Sequence, residues 1–400
     1  MAEYDLNWLV SVDDHVIEPP NVWLDRLPAK YHDVAPRMTA DDRWMYEDKV
    51  VPTSGLSVTV GKRKEEFTPN PVPYSEMHPG CYDPAERVRD MDRAGILASL
   101  NFPSFPRFCG QIFWEAKDKD LAHLCVQAYN DWMIDEWCAA APGRFIPLII
   151  IQMWDPALAA REMERCAAKG ATAFAFSENP EPLEAPREHV RQEHVDPVLA
   201  AAQDLQMVPS MHVGSSSTMP VISSDAPGLA NLTFGAVRAA GTMLAWLFSD
   251  VFERFPGVKI ALSEGNIGWM PYFIERAEQV IDKQRHWAKA TNTSFYNNDV
   301  ATEQVMADLD RLNVRETVRK HIYGCFIEET SGLRSLDIIG EDNVMCETDY
   351  PHSDTTWPDC IGVARKILDE AQLSDATQYK ILRGNAERLY RFTPATPPVA

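Results

Sequence analysis

A parallel (β/α)8 barrel is the fold this sequence predicts, and three observations predict it. Eight short apolar runs alternate with helical patterns, as in a parallel sheet wrapped by helices. The acids and histidines that stand out fall at the carboxyl ends of those runs, the face on which such barrels carry their sites. The 400 residues, 45% of them hydrophobic, suffice to bury one large core. The chain therefore reads as one barrel domain over 1–400, with an insertion near 40–80 above the barrel mouth and a Pro-rich tail at 393–400.

Trp8 to Asp13 predicts the first strand, and Glu18-Pro19-Pro20 a turn after it. The polar, Pro-containing insertion has room for a hairpin between Tyr46 and Val60. Asp83 caps a helix with Pro84 in its first turn, and Gly95 ends it. Ile96 to Phe102 is the second strand, closed by Pro103. Leu121, Leu124, Cys125, Ala128 and Trp132 share one face of a helix over 119–140, which Pro142-Gly143 stops. Phe145 to Gln152 is almost continuously apolar, as in a strand buried on both faces.

Asp155-Pro156 opens the next helix, Ala171 to Phe176 is the fourth strand, and a polar loop spans 177–193. A helix over 196–205 leads to the fifth strand, Met207 to His212, and a helix over 233–249 leads to the sixth, Val258 to Glu264. Met270, Phe273, Ile274, Ala277 and Ile281 then line one helical face. Residues 288–318 are polar and carry no assignment. His321 to Ile327, a helix over 332–340, Val344 to Thr348 and two closing helices complete the pattern.

The formal charge is −21, from 59 acids against 38 bases. Such a surface repels nucleic acid and anionic membrane, which excludes both as partners. The eight cysteines form no Cys-x-x-Cys pair and sit mostly in apolar runs, which predicts buried, reduced thiols and a cytoplasmic chain. No run approaches the ~20 apolar residues of a membrane span. No phosphate-binding glycine motif appears, and Ser215 to Ser217 lacks the turn and base of a nucleophilic serine.

The chemistry gathers around Val344-Met345-Cys346-Glu347-Thr348-Asp349-Tyr350-Pro351-His352, a strand that ends in an acid and turns to present a histidine. Asp13 and His15 are two apart on a strand, so both side chains can reach one ion. A lone histidine would be a surface or capping residue. With His212, Glu264, Asp349 and His352 at matching strand ends, however, the set predicts a metal site. Glu18 reads as a turn acid, with a group that orients a ligand as the alternative, and His78 as a surface histidine, with a cover over the site as the alternative. Trp269 and Trp357 read as core or pocket wall, and Glu328 and Glu329 as acids facing the mouth or solvent.

Four motifs carry a resemblance: Ser-Val-Asp-Asp-His-Val-Ile-Glu-Pro, Met-His-Val-Gly, Leu-Ser-Glu-Gly-Asn-Ile-Gly-Trp-Met-Pro and Glu-Thr-Asp-Tyr-Pro-His. In order and over nearly the whole chain, they resemble the amidohydrolase-related family, in its amidohydrolase 2 branch. Three departures matter. Asp13 stands where that family commonly shows the first histidine of His-x-His, and Glu264 where it shows a histidine after strand six. Ala171 to Phe176 offers no metal-bridging lysine.

The resemblance implies that Asp13, His15, His212 and Asp349 hold one divalent ion, Zn, Mn or Fe. Glu264 and His352 would then orient a ligand or bind a second ion. The carboxylate-rich set also resembles dinuclear non-haem monooxygenases on the same fold. The first reading is accordingly an Fe or Mn monooxygenase that uses O2 on a small organic substrate, with Glu264, Asp349 and His352 catalytic. The second is a one-metal decarboxylase or hydrolase of a small carboxylate, with Asp349 as proton acceptor. The third is a catalytically silent subunit paired with a homologous barrel, and a homo- or hetero-oligomer is expected in any case.

Overall fold

The structure, a computed structural model, describes residues 4–40, 42–183, 192–290 and 307–395. The expectations for 184–191, 291–306 and 396–400, within two loops and the tail, lie outside the described residues.

Eight positions around a barrel are filled in chain order. They are β1 (Leu9–Val16), β2 (Ile96–Pro103) and β3, in two pieces, Phe145–Ile146 and Leu148–Ile149. Then come β4 (Ala173–Ala175), β5 (Val208–His212), β6 (Ile260–Ser263), β7 (Ile322–Phe326) and β8 (Val344–Cys346). Every neighbouring pair from β1 to β8 runs parallel. Pro147 splits β3 because proline has no N–H to give the ladder. The ring closes where the Asp349 N–H donates to Asp13 O (2.9 Å) and the His15 N–H to Tyr350 O (2.6 Å). All eight expected strands are present, which makes the fold the predicted α/β barrel.

The two helices with Asp-Pro starts begin where those signals place them, at Pro84 and Pro156, whereas the helix expected from 196 begins at Gln192 and that expected over 332–340 is a 3-10 turn, Leu333–Ser335, and a short helix, Leu336–Ile339. Asp83 accepts the Ala85 and Glu86 N–H groups at the head of Pro84–Ala94, and Gly95 leaves that helix at φ 74°. A Cβ on Gly95 would lie 2.4 Å from Ile361 Cγ2, so both the turn and the packing require glycine. Asp118 and Asp155 cap Lys119–Trp132 and Pro156–Ala167 in the same way.

Three further expectations are corrected. The helix expected over 119–140 leaves α geometry at Met133 and finishes as a π-turn, Met133–Cys138. The helix expected over 233–249 is two, Gly228–Phe234 and Val237–Phe248. The hairpin of the insertion lies earlier than Tyr46 to Val60: Trp44–Tyr46 pairs with Lys49–Val51, and Arg37–Met38 adds a third strand.

Around the barrel the core holds the large buried side chains Trp23, Trp44, Trp137 and Trp246. All eight cysteines are buried and free, as their apolar surroundings implied. No helix among the described residues is long and apolar enough to cross a membrane.

Candidate metal centre

The site begins with an irregularity in β1. Its pairing with β2 shifts register between Ser11 and Asp14, and such a bulge re-aims side chains. Asp13 and His15 face the other donors, while Asp14 turns to the segment just after β8. There its Oδ1 accepts Thr348 Oγ1 (2.6 Å), the Tyr350 N–H (3.1 Å) and Ser11 Oγ (3.0 Å). Three successive polar residues, all fully buried, are thereby divided between binding groups and a strand-to-strand clamp.

His15 Nε2 lies 3.5 Å from Asp13 Oδ1, 3.2 Å from Asp349 Oδ1 and 3.2 Å from His212 Nε2. His212 Nε2 lies 3.4 Å from both Asp13 Oδ2 and Glu264 Oε2. His352 Nδ1 stands 3.0 Å from Asp349 Oδ1, and its ring stacks on His15 with centroids 3.6 Å apart. All six side chains singled out from the sequence therefore meet at the carboxyl ends of β1, β5, β6 and β8. They form three overlapping groups able to hold a cation: Asp13 with His15 and His212, His15 with Asp349 and His352, and His212 with Glu264 and Asp349.

Both carboxylate oxygens of Asp13 and of Asp349 are buried without a well-formed hydrogen bond. Buried polar atoms are nearly always satisfied, and an unpaired buried anion is among the costliest arrangements in a fold. Burial, then the carboxylates of Glu347 and Asp349, push the Asp13 carboxyl well above its usual range. Burial does the same to Glu264, again with Asp349 and Glu347 adding to it. Asp349 moves the other way: burial raises it, but His352 and His15 beside it outweigh burial and hold it low. Burial lowers His15, and brings His212 down to about 4, so both rings are neutral and free to donate electron pairs. Crowded acids and neutral imidazoles are what a divalent cation requires of its ligands.

Glu264 and Asp349 hold φ of 58° and 51°, the left-handed region that residues with a Cβ rarely adopt. Such a conformation persists only where the surroundings impose it. At Glu264 they do so through Glu347, whose two oxygens accept the Glu264 N–H at 3.1 and 3.0 Å.

Glu347 has no assignment from the sequence, and its place just past β8, two residues before Asp349, is the signal that points to it. Phe108 was also missed; it stacks on His212 with centroids 4.0 Å apart. Glu18 is corrected from a turn acid to a buried clamp, its oxygens accepting the N–H groups of Ser104 (2.9 Å) and Phe105 (2.8 Å). His78 pairs with Asp90 (2.7 Å) and belongs to none of the three groups. Glu329 ties the backbone of Ile267, Gly268 and Gly332 together.

Beside His352 opens a cavity of ≈ 190 Å³. Aromatic walls come from Trp44, Phe105 and Phe108, polar groups from Ser54, Arg107 and Gln111. Trp44 and Ser54 belong to the insertion, which thus covers part of the mouth. Trp269 and Trp357 do not line it. Arg107 is already paired with Glu115 (2.9 Å) and Ser217 (3.1 Å).

Comparison with known proteins adds relatives to this geometry. A gamma-resorcylate decarboxylase of Polaromonas sp. (strain JS666) is 26% identical over 321 residues, covering 76% of this chain and 86% of the relative. An amidohydrolase of Mycobacterium avium subsp. paratuberculosis K-10 superposes with a TM-score of 0.67 at 20% identity, covering 98% of this chain and 100% of the other. A dihydroxybenzoic acid decarboxylase of Polaromonas sp. JS666, with bound manganese and the inhibitor 2-nitroresorcinol, superposes at 0.58 and 18% identity, covering 97% and 98%. These relatives are decarboxylases and an amidohydrolase; the monooxygenase likeness expected from the carboxylate-rich site gains none among them. The family model described as Amidohydrolase (Amidohydro_2) matches residues 20–392, and the chain belongs to that family.

Proposed function

We propose that the protein is a metal-dependent decarboxylase of a small aromatic carboxylic acid. The observation that carries this reading is the convergence of Asp13, His15, His212 and Asp349, two buried carboxylates with no close polar neighbours on their side chains but the imidazoles of the site. These four side chains would hold the ion. When bound, it supplies positive charge that draws in and polarises an anionic substrate oxygen. The manganese of the dihydroxybenzoic acid decarboxylase and the oxygen-and-nitrogen donor set here both favour manganese or a similar divalent ion.

The chain's own groups do the rest. Trp44, Phe105 and Phe108 offer flat apolar walls for an aromatic ring, and ≈ 190 Å³ suits one ring with its substituents. Decarboxylation breaks the bond between ring carbon and carboxylate, releases CO2 and leaves an electron pair that one proton must neutralise. His352 both lines the cavity and touches Asp349, so it is placed to carry that proton, with Asp349 fixing its Nδ1 side. Asp349, wholly buried and shared between two imidazoles, is better suited to ligation than to the role of proton acceptor.

The test is direct. Manganese-loaded protein incubated with a panel of hydroxylated benzoates should release one CO2 for each acid consumed, and His352→Ala should slow this by roughly a hundredfold or more. No turnover of any panel member by fully loaded protein would sink the reading.

A second reading rests on the surplus of donors. Glu264 and His352 bring the set to six, enough for two Fe or Mn ions and the O2 chemistry of an oxygenase. A metal count per chain separates the two: one ion, Mn or Zn, supports the decarboxylase, and two redox-active ions with O2 uptake support the oxygenase.

A further inference from the structure

Just past β4 the chain buries an acid and an amide whose hydrogen-bonding capacity the fold does not fill. Glu178 and Asn179 are 6% and 8% exposed. Glu178 Oε1 accepts the Gly214 N–H (2.9 Å) and Ser216 Oγ (3.0 Å). Its other oxygen, Oε2, and Asn179 Oδ1 are buried with no hydrogen-bond partner among the described residues. Arg238, in the first turn of the helix Val237–Phe248, adds a donor in the same state. Its Nε is buried without a hydrogen bond, 3.9 Å from Glu178 Oε1, and Nη2 makes only a long contact with Thr218 Oγ1 (3.4 Å). Buried polar atoms are nearly always paired, with protein, water or a ligand.

These three residues line one cavity of ≈ 140 Å³. Pro180, Val237 and Ala245 give it short apolar walls, and the exposed Gly241 stands at its rim. It shares no lining residue with the cavity beside His352. The backbone of Glu178 is fixed: its N–H donates to Ser215 Oγ (2.8 Å), and its carbonyl accepts Thr242 Oγ1 (2.9 Å).

We propose that this cavity binds a small α-amino acid, its ammonium group on Glu178 Oε2 and Asn179 Oδ1 and its carboxylate on Arg238. The unpartnered atoms select that chemistry, being two acceptors, one of them on a carboxylate, and one donor on a guanidinium. An anion alone would be set against the acceptors, and a cation alone against the guanidinium. A zwitterion whose two charges are joined through one carbon leaves neither end opposed. Size limits the side chain: ≈ 140 Å³ lies well below the roughly 300 Å³ at which pockets for drug-sized ligands begin, so glycine, alanine and serine fit best. Burial raises the Glu178 carboxyl to about 7 although Gly214, Ser216 and Arg238 act to lower it. An ammonium group at Oε2 supplies the countercharge that the fold leaves incomplete.

Calorimetric titration of the metal-loaded chain with glycine, L-alanine and L-serine, at two temperatures, tests this. The expected result is one site per chain with a Kd on the order of 1 mM or tighter. Acetate and ethylamine, each lacking one of the two charged groups, should bind roughly tenfold or more weakly than alanine. Arg238→Gln should weaken alanine binding by a similar factor. A Cβ on Gly241 meets nothing within 4 Å, so Gly241→Leu narrows the cavity without displacing an atom. That variant should lose binding while its melting temperature holds or rises, since leucine favours a helix over glycine. No saturable heat from any of the three amino acids up to roughly 20 mM would overturn the proposal and leave the cavity to ordered water. Undiminished binding in both Arg238→Gln and Gly241→Leu would also overturn it, assigning the amino acids to the metal centre. So would acetate binding as tightly as alanine, which would make the cavity an anion site.

Discussion

Asp349 shows how one residue can serve several neighbours. Its carboxylate lies 3.2 Å from His15 and 3.0 Å from His352, and its N–H closes the barrel onto Asp13. Asp349→Ala keeps that backbone bond and removes only the side chain. The expected outcome is a folded protein that has lost its metal, read by elemental analysis beside an unchanged far-ultraviolet spectrum. Glu347 acts one step further out, through the backbone of Glu264. Glu347→Gln leaves one carbonyl oxygen to accept that N–H and removes a negative charge, so metal affinity should fall about 10- to 100-fold, measured by titration with manganese. An unaltered affinity would mean that Glu264 keeps its conformation unaided.

At the scale of elements, the site depends on strand ends held at fixed heights by caps and clamps. Asp83 fastens the helix Pro84–Ala94, from which Arg87 reaches back to donate to His15 O (2.5 Å) and Gly80 O (2.7 Å). Asp83→Ala should cost about 1 kcal/mol in urea unfolding while sparing metal content, since the helix frays at its head and Arg87 sits a turn further in. Phe108 extends the same logic to the cavity, where its ring both supports His212 and forms a wall.

For the molecule as a whole, buried acids tie stability to pH. Burial raises Glu18 and Glu178 to about 7 and Asp14 to about 6, above ordinary values of 4.5 and 3.8. A carboxyl whose folded-state pKa is raised stabilises the fold below its unfolded value, and that contribution is lost as pH climbs through the folded one. The metal-free protein should therefore lose stability between about pH 5 and pH 7, measured by urea unfolding across that window. Glu18→Gln should flatten the slope, because the amide still accepts an N–H from Ser104 or Phe105 and does not titrate. Manganese should restore stability at pH 7, since binding to the folded state alone raises the melting temperature.

The sequence by itself determined the barrel and the donors that stand at its strand ends. Apolar runs of strand length and Asp-Pro helix starts are local signals, and the six donors stand at strand ends that a parallel barrel must bring to one face. What lay beyond it came from contacts between residues far apart in the chain. Glu18 read as a turn acid because its partners, Ser104 and Phe105, come more than eighty positions later. The left-handed backbone at Glu264 depends on Glu347, eighty-three positions on. The bulge that separates Asp14 from Asp13 and His15 arises from pairing with β2. Periodicity reports which face a side chain takes; only the folded chain decides which buried charge finds a partner and which is left without one.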